Sequence, residues 1–285
     1  MNPKLIFSSL GLATCLMAGT ALGAQSPRLE FPQASPGSTL KQRVGITDFE
    51  INYSRPSAKG RKIFGNVVPF GQVWRTGANA STKLSFSTPV KLNGVEVPAG
   101  KYALFTIPGE DEWTIILSKD LNSSALNYDD KSDQARFKVQ PITLSDTSIE
   151  TFTIEFNHIR DDSAVLNLVW EKTVVPIKLE MDVVSKLLPE IQAVMSAPGG
   201  QKPYFQAAAF YYDHGQDLKK AKEWADAAIA QNEAYFTVHL KAKILAKMGD
   251  KEGAMAAAKH SLELAQKAND KAYIKLNEDL IASLQ

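Results

Sequence analysis

The spacing of apolar residues changes once along this chain, near Asp182, and no other feature restricts the possible folds as much. Before that point apolar side chains recur every second residue. Ile46-Thr47-Asp48-Phe49-Glu50-Ile51-Asn52-Tyr53 and Lys83-Leu84-Ser85-Phe86 alternate with polar residues, as strands do when one face is buried. Val90-Lys91-Leu92 and Val95-Glu96-Val97 flank Asn93-Gly94. Both residues of that pair accept positive φ, so it predicts a two-residue hairpin. Further strands are predicted at 102–107, 113–117, 137–144, 151–158, 165–170 and 174–181, separated by polar turns. Residues 121–133 leave a helical turn open. Short strands, tight turns and no crossover helices predict an antiparallel β-sandwich or jelly-roll-like domain over 39–182.

After Asp182 the period becomes 3.6. Val184, Leu187, Leu188, Ile191 and Val194 form one stripe, which ends at Pro198-Gly199-Gly200. Alanine-rich amphipathic segments follow and repeat. Ala208 and Ala242, Tyr211 and Leu245, and Gly215 and Gly249 stand 34 residues apart, while Ala221 and Ala254, Ala225 and Ala258, and Ala228 and Ser261 stand 33 apart. This period resembles tetratricopeptide repeats (TPR), in which small residues let paired helices approach closely. The repeated glycine is expected to end the first helix of each pair. Gln231-Asn232-Glu233 stands where a TPR proline would close the first unit. The chain therefore reads as multidomain, β then α, with a short TPR-like helical domain over 183–285 whose first and last helices cap the stack.

Ahead of the β region, Lys4 precedes an apolar run from Leu5 to Gly23 with small residues at Ala21 and Gly23. That pattern predicts a signal peptide over 1–23, a linker over 24–38, and an exported protein, periplasmic or extracellular, with no membrane span after cleavage. The single cysteine, Cys15, lies inside the run. Thr14 and the apolar residues beyond it argue against lipidation at Cys15, so the cleaved chain is expected to lack disulfides and thiolate chemistry. Removing Lys4 leaves 31 cationic side chains against 31 acidic ones. A neutral chain without a basic segment excludes nucleic acid as a partner.

The stretch Tyr53-Ser54-Arg55-Pro56-Ser57-Ala58-Lys59-Gly60-Arg61-Lys62-Ile63-Phe64-Gly65 is followed by Val68-Pro69-Phe70-Gly71 and Trp74-Arg75-Thr76-Gly77-Ala78-Asn79. Together with Pro98-Ala99-Gly100-Lys101-Tyr102-Ala103-Leu104-Phe105 and Trp113-Thr114-Ile115-Ile116, it resembles the DUF2911 family of exported, mainly bacterial proteins over about residues 27–182. The resemblance implies a fold and a compartment; the family carries no established activity. Leu121-Asn122-Ser123-Ser124-Ala125-Leu126-Asn127-Tyr128 stands where that family would place a Trp-Gly pair leading into the tyrosine.

Cations and aromatics concentrate between Tyr53 and Asn79, among glycines and prolines that hold tight turns. Tyr53, Arg55, Arg61, Trp74, Arg75 and Asn79 are the candidate ligand-binding residues. Arg75 offers a planar fork for a carboxylate or phosphate, Trp74 or Tyr53 a stacking face, and Asn79 a bidentate amide. The competing reading is structural: Trp74 in the core, Arg75 satisfying carbonyls or pairing with a carboxylate such as Glu171, and Gly77-Ala78-Asn79 as a left-handed turn. The histidines are His158, His214, His239 and His260, and none stands in a metal-binding or catalytic motif. Glu155 and His158, three apart on a strand, face opposite ways. No catalytic residue, metal or cofactor is predicted. The sequence thus points to non-catalytic binding in the cell envelope: a small anionic or glycan ligand on the β domain and a protein partner on the helices. The alternatives are a hydrolase of envelope glycans or peptides and a structural scaffold.

Overall fold

A computed structural model describes Leu29 and residues 31–285. The leader read at 1–23, Cys15 included, lies outside the described residues. Twelve strands and six α-helices follow in order. Strands β1 (Gly37–Val44), β2 (Thr47–Ser54), β3 (Thr82–Phe86), β6 (Gly100–Ile107), β7 (Trp113–Ser118) and β8 (Asp133–Val139) form one antiparallel sheet, ordered β1-β2-β3-β6-β7-β8. The second sheet runs β10 (Ile149–Asn157), β11 (Ser163–Glu171), β12 (Thr173–Glu180), β4 (Val90–Leu92) and β5 (Val95–Val97), with β9 (Ile142–Thr143) paired to β12.

Asn93 and Gly94 sit at φ +47° and +82° between β4 and β5, the left-handed pair that the hairpin needs. Asn93 also ties this hairpin to β12: its N–H donates to the Lys178 carbonyl at 2.9 Å and its Oδ1 accepts from the Lys178 N–H at 2.7 Å. The segment predicted as one strand over 137–144 is two. Pro141 has no N–H for a ladder, and across it the chain leaves β8 of the first sheet for β9 of the second. Residues 121–133 hold a short 3₁₀ turn at Asp130–Ser132.

Between the sheets, alternating strand residues form one apolar core. At its centre Phe64, Trp74, Trp113, Phe152 and Trp170 pack mostly edge-to-face, with ring centroids 4.8–6.4 Å apart, a geometry that adds to simple burial. Residues 55–58 cross from β2 to the other sheet, where Ala58 N–H donates to the Glu150 carbonyl and Phe152 N–H to the Pro56 carbonyl.

The helices are α1 (Val183–Ser196), α2 (Tyr204–Asp213), α3 (Leu218–Gln231), α4 (Tyr235–Lys247), α5 (Lys251–Lys267) and α6 (Lys271–Leu284), consistent with helical repeats. Gly215 and Gly249, at φ +64° and +84°, end α2 and α4. Asp217 and Asp250 then cap α3 and α5 through their carboxylates. The equivalent small residues Ala208 and Ala242, Ala221 and Ala254, Ala225 and Ala258, and Ala228 and Ser261 are all buried, as close helix packing requires.

Gly45, at φ +56°, lets the β1–β2 turn meet the Asp161 carbonyl and Val183 at the start of α1. His214 Nε2 lies 2.8 Å from Asp161 Oδ2. Leu187 of α1 and Phe210 of α2 pack against the β core.

Candidate functional site

Tyr53 lies near the end of β2 and the loop between β2 and β3 carries the other five candidate residues, and the structure gives the six different tasks. Tyr53, the penultimate residue of β2, is buried edge-on against Phe152, and its hydroxyl accepts from the Ile154 N–H at 3.1 Å. Arg55 crosses to the other sheet, where Nε donates to the Phe152 carbonyl at 3.0 Å and Nη2 to Thr153 Oγ1 at 2.7 Å. Arg61 is exposed and folds back on its own loop, donating to the carbonyls of Ala58 and Ser57 at 2.9 and 2.8 Å. Asn79, at φ +58°, donates to the Ser35 carbonyl and Ser54 Oγ. Trp74 lies in the aromatic core and donates from Nε1 to the Gly77 carbonyl at 3.0 Å. Neither Tyr53 nor Trp74 presents a ring face to solvent.

Arg75 differs from these. Trp74 pairs with Thr106 through two backbone hydrogen bonds, N–H to carbonyl each way at 2.7 and 2.9 Å. One residue further on, Arg75 lies alongside Phe105, and its carbonyl accepts from the Thr82 N–H. With Trp74 turned inward, strand alternation puts the Arg75 side chain on the outer face of the first sheet. Its guanidinium makes no hydrogen bond or ion pair among the described residues, and Nε is fully buried without a partner. Glu171 is engaged elsewhere, accepting from the Ile63 N–H at 3.0 Å.

The next residue, Thr76, is fully buried at φ +54°, a conformation a β-branched residue rarely takes. It is held there from several sides. Its hydroxyl donates to Thr106 Oγ1 at 3.2 Å, and its carbonyl accepts from Thr82 Oγ1. At Gly77, φ +148°, a Cβ would come within 2.9 Å of the Ser54 carbonyl. A constrained backbone thus fixes the place of an unpaired guanidinium.

The surface around Arg75 is built from residues with no motif. Ala103, Phe105 and Ile116 are buried on the outer face of the sheet beneath Val73 and Tyr128. The register aligns Phe105 with Ile116, and Ile116 with Arg136. Arg136 Nη2 donates to the Tyr128 hydroxyl at 2.6 Å, and that hydroxyl donates to the Asp133 carboxylate. Burial, together with Asp133, pushes the Tyr128 hydroxyl up to about 12. Lys83, in the adjacent outward row opposite Ala103, is held below the usual lysine range by burial and then by repulsion from Lys101. A sequence signal for this second core does exist. Tyr102–Phe105 and Ile115–Leu117 are apolar without alternation, which marks strands covered on both faces.

The DUF2911 family model, described as a protein of unknown function, matches residues 35–179. The chain belongs to the DUF2911 family. That span of the DUF2911 protein contains the whole loop and both sheets up to Leu179, and none of the six α-helices. A comparison with curated proteins finds no match. Among the described residues no group of three or more His, Cys, Asp or Glu is disposed to hold a metal. No helix among them is long and apolar enough to cross a membrane. His158 stands exposed in the turn after β10 at φ +49°, and Glu155 accepts from Asn157 instead.

Proposed function

We propose that this DUF2911 protein is an exported, non-catalytic binding protein of the cell envelope, and that Arg75 recognises an anionic group on its ligand. The observation that carries the reading is the Arg75 guanidinium, whose buried Nε has no partner among the described residues. A buried donor without an acceptor is unfavourable for the free protein, and a carboxylate or phosphate would supply the acceptor in a charge-assisted bond. Lys83 and Lys101, which already repel each other on the same sheet face, add positive potential there. Tyr53, Arg55, Trp74 and Asn79 hold the loop in shape and leave the recognition to Arg75. A cell-wall glycan bearing a carboxylate fits this chemistry, and the helical part is suited to holding a partner.

The test is retention of the full chain from residue 24 on immobilised cell-wall glycans. Wild type is expected to bind, and Arg75→Ala, with unchanged circular dichroism, to wash through. Equal behaviour of the two proteins, whether both bound or both unbound, would overturn the proposal.

A further inference from the structure

Arg75 Nε is sealed from solvent as well as unpartnered among the described residues, so an oxygen of a ligand can meet it only after whatever covers it has moved. The register shows what lies there. Arg75 stands alongside Phe105 on the outer face of the first sheet, and the Tyr128 ring packs on the Phe105 ring at 5.4 Å. On its other side the Thr82 N–H donates to the Arg75 carbonyl. Ser81, the residue before Thr82, donates from Oγ to the Ser123 carbonyl at 3.0 Å. Ser123 and Tyr128 belong to one strap, residues 120–131, which runs between β7 and β8. Its neck is closed where the Lys119 N–H donates to the Ser132 carbonyl at 2.8 Å. The two points at which the strap meets the sheet therefore flank Arg75.

The strap is held lightly. Among the described residues, no backbone–backbone hydrogen bond joins residues 120–131 to a strand. Its own bonds close small turns: the Ser123 hydroxyl donates to the Asp120 carbonyl at 2.8 Å, and Asn127 Oδ1 accepts from the Ser124 N–H at 2.6 Å. Leu126 is fully exposed and buries nothing. Side chains do the fastening. One anchor is the bond from Ser81, and the other is the Tyr128 hydroxyl, which accepts from Arg136 Nη2 and donates to the Asp133 carboxylate. Segments with no ladder and few buried contacts open at the low end of a protein's stability, and compact loops with closed necks are frequently functional. Resting on the anion-binding reading of Arg75, we propose that residues 120–131 form a lid latched by Tyr128, which lifts to let an anionic group reach the Arg75 guanidinium.

The lid can be followed without a ligand, through exchange of the Arg75 Nε–H with water. The full chain from residue 24 is labelled with ¹⁵N-arginine, and the Arg75 signal is assigned by its loss in Arg75→Met. In wild type this proton is expected to exchange at least about tenfold more slowly than that of the exposed Arg160. Tyr128→Phe keeps the ring on Phe105 and removes the latch hydroxyl. It is expected to speed Arg75 exchange roughly five- to tenfold, the change that losing one hydrogen bond produces. Ser81→Ala, which removes the other anchor, is expected to act in the same direction. Wild-type exchange in both variants, with near-UV circular dichroism unchanged, overturns the lid. So does wild-type exchange at Arg75 as fast as at Arg160. Equal glycan retention by wild type and Arg75→Ala would overturn the anion-binding reading without altering these rates, so the two fail separately.

Discussion

Replacing Arg75 with methionine tests the central physical claim about this molecule through the sign of a stability change. Methionine keeps an unbranched apolar stem of similar reach and removes the guanidinium. If Nε is a buried donor without an acceptor, the folded state carries a desolvation penalty of about 1–3 kcal/mol that the substitution relieves. Some packing against Phe105 is altered, so the net gain works out at about 1–2 kcal/mol. For a domain of roughly 150 residues, 1 kcal/mol moves Tm by about 2–4 °C. The variant should therefore melt about 2–8 °C higher, followed by near-UV circular dichroism, which reports on the buried Trp74, Trp113 and Trp170. Were Arg75 instead a structural ion pair, its removal would strand a buried partner and lower Tm. A variant less stable than wild type by more than about 1 kcal/mol would refute the argument, and with it the case that this side chain is held ready for a ligand.

Two further perturbations address the domain junction and the helices. Gly45→Ala places a methyl group against the Asp161 carbonyl and 3.2 Å from Val183 Cγ2, at φ +56°. It should cost about 2–4 kcal/mol in urea denaturation from backbone strain and overpacking together, and a change under about 0.5 kcal/mol would show that the junction yields freely. His239 is held below its ordinary value of 6.5 by burial, and further by Lys243, against an opposing bond to Asn277. The folded protein then binds fewer protons than the unfolded one just below that pH. Its contribution is intact above 6.5 and is lost as pH falls from there through the depressed value. Wild-type Tm should drop between pH 7.5 and 5 more steeply than that of His239→Gln, and superimposable curves would refute this assignment.

The fold was legible wherever a local rule had no competitor. Asn93-Gly94 named its own turn, and Gly215 and Gly249 marked the ends of two helices from their shared spacing. Strand β1 was harder to read. Gly37–Val44 offers only Leu40 and Val44 as apolar residues, because as an edge strand it has one partner and stays largely exposed. The segment 137–144 reads as one strand although Pro141, which lacks an N–H, lies inside it. What could not be read locally was that the chain changes sheets there, since that depends on where β12 lies.

At the candidate site the sequence located the loop but could not assign its side chains, and the reason is geometric. Whether Trp74 stacks on a ligand or fills the core depends on Trp113, Phe152 and Trp170 converging from three strands and on Phe64 from earlier in the same loop. Once Trp74 is fixed inward by that cluster and by its pairing with Thr106, alternation leaves Arg75 no inward option. The positive φ of Thr76 then turns the chain away before another residue can follow Arg75 outward. The aromatic core thus determines the exposure of the cation beside it. A tryptophan that never meets a ligand can still decide whether the arginine does, so substitutions in the core at Trp74 and at the surface at Arg75 should not act additively on binding.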